Sequence, residues 1–220
     1  MKKVLLLVAL FVVPVVAYLF FASGVNSFIK LPVVTEKIPE LSSNWQSLSG
    51  EPIQMKNKIT ILGFTGDNEQ NIKGRIGNLA QIIYDKNKDF VDFQVVYIAP
   101  ISLKDDVEKY LQFLSRDIDL KNLFFIFAQK SEIEEYHKKL GLVGKLNSDG
   151  GTSFIYIIDK ELSLRGRKGE NKDGVEEYKE GYNSSSQEDL KNEMADDVKV
   201  VLAEYRLALK KNNNKDNITN

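Results

Sequence analysis

Apolar positions along this chain follow two different periods, and the switches between them mark out strands and helices in turn. Ile59 to Phe64 is a short, nearly continuous apolar run, the length of a buried strand, and Phe93 to Ile98 and Leu123 to Phe127 repeat it. The intervening stretches change to helical spacing. Ile72, Ile76, Leu79 and Ile83 fall on one face, Leu103, Val107, Tyr110, Leu111 and Leu114 on another, and Leu190, Met194, Val198, Val201, Leu202 and Tyr205 on a third. Ser102 with Asp105, Ser131 with Glu134, and Ser186 with Asp189 have the spacing of capping boxes that open helices. Phe154 to Ile158 and Leu162 to Arg165 predict a hairpin turning at Asp159-Lys160-Glu161. Strands alternating with helices imply an α/β domain over residues 44–205, with its sheet covered on both faces. The run Leu123-Phe124-Phe125-Ile126-Phe127 fits a central strand of that sheet rather than a ligand pocket.

The flanks read differently. Val4 to Ala22 is an uncharged run of 19 residues, of which 14 are Leu, Val or Phe. As a helix it would be about 28 Å long, enough to cross a bilayer's hydrocarbon core. Lys2 and Lys3 precede it, so the positive-inside rule keeps the N-terminus cytoplasmic and exports the rest. Residues 1–24 are therefore expected to form a single-pass anchor in a bacterial inner membrane, with the domain on the periplasmic side. Ala22-Ser23-Gly24 leaves cleavage of a signal peptide as the alternative. Residues 25–43, with Pro32 and Pro39, predict an extended tether. Gly166 to Gly181 reads as a mobile polar excursion, and residues 206–220 as a disordered polar tail.

Charge and composition narrow the chemistry. Without Lys2 and Lys3, the 30 basic residues fall to 28 against 31 acidic ones, and no basic patch with interleaved aromatics appears. Nucleic-acid binding has no electrostatic footprint here. The chain contains no cysteine, which removes disulfides, thiolate nucleophiles and soft-metal thiolate ligands together. An exported domain of this kind must be held by its core alone.

Three framework motifs stand in order: Leu62-Gly63-Phe64-Thr65 before a loop, Ile98-Ala99-Pro100 after the second strand, and Gly150-Gly151-Thr152-Ser153 running into Phe154 to Asp159. Together with Gly50-Glu51-Pro52-Ile53, they resemble the Sco/SenC family, and the resemblance covers most of Ser47 to Tyr205. It implies a thioredoxin-like fold with a mixed central sheet flanked by helices, beside one N-terminal transmembrane helix. Members of that family are membrane-anchored proteins that look after copper delivery to cytochrome c oxidase. Their Cys-x-x-x-Cys pair would fall at Asp67 and Asn71, and their distal histidine at Gly151. A hard carboxylate, an amide and no side chain cannot supply the thiolate and imidazole that Cu(I) prefers. The resemblance thus implies a degenerate member with no cofactor, no metal and no catalytic residue. Its vestigial site, comprising Gly66, Asp67, Asn68, Glu69, Asn71, Gly150, Gly151 and Thr152, would face a partner.

No other chemistry replaces it. His137, the only histidine, sits among charges in Ser131 to Leu140 and is expected to be a solvated surface residue. Asp105, Asp106 and Glu108 cluster where a helix start favours negative charge. Asp67 and Glu69 fall short of the six to eight oxygens a calcium ion takes. Asn171-Lys172-Asp173-Gly174 lacks the later ligands of a calcium loop and predicts a turn. Trp45 would sit either at the membrane interface or at the domain's edge. The expected function is non-enzymatic: accessory support of respiratory oxidase assembly, through oxidase subunits or a copper-binding Sco homologue. The alternatives are a stoichiometric subunit of a larger envelope complex, or an enzyme or ligand binder, which would need a polar pocket near the loop.

Overall fold

In a computed structural model of the chain, which describes residues 10–16, 18, 30–171 and 173–216, the strand-period runs assemble into one mixed sheet and the helical runs cover it. Strands β1 (Val33–Thr35) and β2 (Gln46–Ser47) precede β3 (Ile59–Thr65), β4 (Phe93–Pro100), β5 (Leu123–Ala128), β6 (Gly151–Ile158) and β7 (Leu164–Arg165). A two-stranded hairpin, β8 (Arg167–Glu170) and β9 (Glu176–Lys179), leads to β10 (Tyr182–Asn183), which pairs with β6. The sheet order is β1-β7-β6-β3-β4-β5-β2. β3, β4 and β5 are parallel neighbours, and β6 runs antiparallel to β3, with Ile61 opposite Ile157 and Thr65 opposite Gly151. The helices are α1 (Glu69–Leu79), α2 (Lys104–Leu114), α3 (Lys130–Lys139) and α4 (Ala195–Asp216).

Strand alternation sorts the core into two layers. Ile61, Val95, Tyr97, Phe125 and Ile157 face the side covered by α1, α2 and α4, where Ile76, Val107 and Val198 meet them. Leu62, Phe64, Val96, Ile126 and Tyr156 face the other side, against Ile133, Tyr136 and Leu140 at α3. Removing each such side chain from water stabilises the fold by roughly 1.5–3 kcal/mol, which is how a cysteine-free domain holds together. α1 continues through a π-helical turn, Ala80–Tyr84, which packs on a second one, Leu190–Met194, before α4. The predicted hairpin is present, since Ile158 pairs with Leu164 across the Asp159 turn.

Several expectations are corrected. Within the stretch read as a free tether, residues 30–43 lie on the domain: β1 pairs with β7, and Leu31, Ile38 and Leu41 are buried. Prolines suit an edge strand as well as a linker, and three apolar side chains decide for the edge. Glu40 fastens the far end by accepting hydrogen bonds from the Met55 and Lys56 amides, both at 2.8 Å. Trp45 closes the other edge, packed on Tyr136 with ring centroids 5.2 Å apart.

The described residues of Gly166 to Gly181 form a hairpin, β8 with β9, because its charges find partners: Arg167 bonds Asp197 at 2.9 Å, and Lys179 bonds Glu193 at 2.6 Å. Asn171 Oδ1 accepts from the amides of Asp173 and Val175, which makes the expected turn. In the predicted tail, α4 runs on to Asp216, since propagating a packed helix adds one bond per residue fixed. Two capping boxes move. Ser102 and Asp105 cap nothing, a 3₁₀ turn over Ile101–Leu103 feeding α2 instead, while the box at α3 is formed by Gln129 and Glu132. The box at Ser186 is half made: its hydroxyl accepts from the Asp189 amide, but the Asp189 carboxylate turns to Asn183 and Lys179.

Most of the predicted anchor lies outside the described residues. Residues 10–16 are helical, and among the described residues no helix is long and apolar enough to cross a membrane.

Arg165 ties the outer pieces together. The residue is 4% exposed, and its guanidinium donates to the Leu31 carbonyl at 2.8 Å, Asp159 at 3.0 Å and Glu204 at 2.7 Å, joining the β1 segment, the β6–β7 turn and α4. Arg165→Ala leaves the nearly buried Asp159 carboxylate uncompensated and is expected to cost about 3–5 kcal/mol, read as a lower urea midpoint.

Candidate functional site

β3 ends at Thr65, and Gly66 turns the chain with a φ of +70°, a region open to glycine at little cost. Asp67 and Asn68 are exposed on the loop; Asn68 stands at the N-cap position of α1 without a side-chain cap, and Glu69 and Asn71 occupy the helix's first turn. On the neighbouring strand, Gly150 also takes a positive φ, of +76°, and Gly151 opens β6 directly opposite Thr65. The fold thus brings the two predicted halves, Gly66 to Asn71 and Gly150 to Thr152, to one end of the sheet.

The backbones meet there with no space between them. A Cβ on Gly151 would lie 2.4 Å from the Gly66 nitrogen and 2.6 Å from both the Gly66 Cα and the Thr65 carbonyl carbon. The position that the Sco resemblance assigns to histidine therefore has no room for any side chain. Asp149 completes the closure. Its Oδ1 accepts the Gly151 amide at 2.9 Å, and its carboxylate carbon stands 2.7 Å from where a Gly66 Cβ would project.

Behind the loop stands Arg75, one helical turn beyond Asn71. It is 9% exposed; Nη1 donates to the Thr152 carbonyl at 2.7 Å and Nη2 to the Thr65 carbonyl at 3.1 Å, so one guanidinium joins the ends of β3 and β6. Burial pulls its pKa down, while Tyr97 and the Asp149 carboxylate push it up. Guanidinium stays protonated in proteins, so a full positive charge sits in the interior. Tyr97 lies over Gly63, where its ring leaves no place for a Cβ, and stacks on Phe125 at 5.2 Å. Its hydroxyl has no hydrogen-bond partner among the described residues, and burial pushes its pKa well above the usual phenol value. The space left among Phe64, Arg75, Tyr97, Thr152 and their neighbours is about 10 Å³. That is the lower limit for a single water, so the interior behind the loop is filled.

Arg75 was not among the sequence-derived site residues. Its signal was a lone basic side chain on the Ile72, Ile76 and Leu79 face, four residues after the position matching a family ligand.

His137 is not a solvated surface residue. It is 6% exposed, edge-on to Phe64 at 5.1 Å, and its Nε2 has no hydrogen-bond partner among the described residues. Of the charged neighbours that suggested a wet helix, Glu132, Glu135 and Lys139 are exposed and only Glu134 and Lys138 border the ring's cleft, while His137 shares the buried face of Ile133 and Tyr136.

No protein-family model matches the sequence, and no curated protein does. Solved structures do. BsSco, a member of the Sco family of cytochrome c oxidase assembly proteins, superposes with a TM-score of 0.55 at 16% identity, over 80% of this chain and 98% of that one. The chain has the thioredoxin-like fold. A candidate protein disulfide isomerase from Bacteroides thetaiotaomicron matches with a TM-score of 0.52 at 14% identity, over 80% of this chain and 95% of that one. At such identities the likeness speaks for the fold alone. The Sco-type framework read from the motifs is thus met at the level of architecture, and function has to be argued from the site.

Two substitutions test the closed site. Arg75→Met strips a charged donor from two buried carbonyls and is expected to cost about 2–4 kcal/mol in urea denaturation. Gly151→Ala drives a Cβ into backbone that has no flexible end to yield, and is expected to lose at least about 3 kcal/mol, measured the same way.

The buried imidazole makes stability pH-dependent. Burial lowers the His137 pKa in the folded chain, with Glu180 opposing, so the unfolded chain binds the proton first. Stability attached to the neutral ring is therefore complete above about pH 6.5 and declines as pH falls toward the folded-state value. In His137→Phe that part of the pH dependence is expected to vanish, seen as a flatter Tm profile below pH 6.5 than in the parent.

Proposed function

We propose that this chain is a membrane-tethered, thiol-free module of Sco type that supports assembly of a respiratory cytochrome oxidase by holding a protein partner, with no redox or copper-transfer step of its own. One observation carries the reading: the guanidinium of Arg75, hydrogen-bonded to the Thr65 and Thr152 carbonyls, fills the interior behind a loop in which Gly151 admits no side chain. The chain has no reactive sulfur, and neither Gly66 to Asn71 nor Gly150 to Thr152 carries an imidazole, whereas thiol exchange and Cu(I) transfer require such donors. What remains outward is polar: the exposed Asp67 and Asn68 beside the Asp149 to Thr152 turn. A rigid rim of that kind suits recognition, since a partner meets a surface already ordered by its own hydrogen bonds.

The oxidase context is supported by the sequence motifs and by the fold shared with BsSco, a member of a family of cytochrome c oxidase assembly proteins. The apolar run from Val4 to Ala22 behind Lys2 and Lys3 supports a single-pass anchor in a bacterial inner membrane with the domain periplasmic. The partner would be an oxidase subunit or a copper-binding Sco homologue.

Affinity purification of the tagged full-length chain from membranes in mild detergent, with metal analysis of the same sample, tests this. Oxidase subunits or a copper-binding homologue are expected in the eluate, copper well below one equivalent, and recovery reduced about tenfold by Asp67→Lys, which reverses the charge on the rim. Recovery of neither class of partner, or a stoichiometric Cu(I) load on the isolated chain, overturns the proposal. Fixed stoichiometry in the finished complex would instead make the chain a structural subunit.

A further inference from the structure

We infer that His137 and Glu180 form a proton-operated latch on residues 141–147, the segment that leads from α3 toward the Asp149 to Gly151 rim. Leu142 and Leu146 pack on the core, and between them one side chain binds the backbone. Glu180 accepts the Val143 amide at 2.9 Å on Oε2 and the Gly144 amide at 2.7 Å on Oε1, and Oε2 also takes the Tyr178 hydroxyl at 3.0 Å. Both amides follow the turn at Gly141, where φ is +66°, so they have no helical partner to fall back on. At its other end the segment bonds the rim, Asn147 donating its amide to the Gly151 carbonyl at 2.8 Å.

The same carboxylate is the anion that acts on His137. The imidazole lies against Phe64 and Tyr156, with ring centroids at 5.1 and 6.5 Å, and its Nε2 is buried without a partner. A neutral ring tolerates that site; a charged one does not, because burying a cation with an unpaired N–H costs far more than burying a neutral ring. Once protonated, the ring needs the Glu180 oxygens that now serve the two amides. It also needs water, and a cleft of about 440 Å³ between α3 and the segment, lined by Leu142 and Leu146, gives water a path.

The titratable groups around the ring are Glu134 and Lys138 on α3, Lys145 on the segment, Tyr156 on β6 and Glu180 after β9. The two lysines oppose protonation and the two glutamates favour it. Burial outweighs Glu180, so the latch opens on the acid side of the ordinary imidazole value, about 6.5. The latch stands on the geometry of the segment, and the proposed partner is not needed for it.

The lone histidine makes the test clean, because every imidazole NMR signal belongs to His137. The ring is titrated in the full chain, and amide exchange of Val143 and Gly144 is followed from about pH 8 to pH 4, corrected for the intrinsic rate. The expected result is a midpoint below about 6.5 and a loss of amide protection of about tenfold or more at that same midpoint. Glu180→Gln should leave both amides weakly protected at every pH, and His137→Phe should keep them protected throughout. A ring that titrates at its free value or not at all in this range, or protection that ignores the ring's midpoint, overturns the latch. So does a pH response that survives in His137→Phe, which would assign it to the Glu180 carboxylate itself. Should that variant fail to fold, agreement or disagreement of the two parent midpoints decides alone.

Discussion

A permanent cation held almost entirely out of water, between the carbonyls that end β3 and begin β6, is the constraint on which the candidate site depends. Arg75 cannot shed its proton to relieve burial, so its surroundings must supply acceptors, and Thr65 and Thr152 do so at 3.1 and 2.7 Å. Those acceptors are in place only if the two strand ends stay together. They stay together only because Gly151 lets backbone lie on backbone against Gly66. The cation and the glycine therefore require one another. The end of a thioredoxin-like sheet, where a loop and a helix N-terminus meet, becomes a sealed joint here.

Ionic contacts do similar work further out. Arg165 fastens β1 and α4 to the β6–β7 turn, and Arg167 and Lys179 fasten the β8–β9 hairpin to the helical stretch beneath it. Exposed pairs of this kind add little, but these are part-buried, multidentate and linked, so they can order segments whose composition looks mobile. A chain without cysteine thus obtains from its core and from buried guanidinium groups the cross-links that disulfides give other proteins.

Much of the fold was legible because period alone decides it. The runs at Ile59, Phe93, Leu123 and Phe154 became β3 to β6, and the stripes beginning at Ile72, Leu103 and Leu190 became the helices of one face. That Gly66 to Asn71 and Gly150 to Thr152 belong together came from the family resemblance, and the pairing of Thr65 with Gly151 brings them to one end of the sheet. Arg75 was not, since a lone arginine on an apolar helix face looks the same in sequence whether it snorkels to solvent or bridges two carbonyls. His137 was misread because most of its neighbours on α3 are charged and exposed, and local composition does not report which face a residue shares. The caps at Ser102 and Ser131 failed for a related reason: hydroxyl spacing permits a box, but the chain's entry into the helix selects the residue that makes it.

By itself, the sequence determined that thiol chemistry is absent and which of the main segments are strands and which helices. Composition settles the first outright, since no arrangement of residues supplies a missing thiol, and periodicity settles the second because each face must leave water. Only the tertiary structure decided that the site is closed, that its charge comes from Arg75, and that the one histidine lies inside. Those outcomes turn on contacts between residues far apart in sequence, such as Arg75 with Thr152, Thr65 with Gly151 and Phe64 with His137, and such contacts exist only once the sheet has formed.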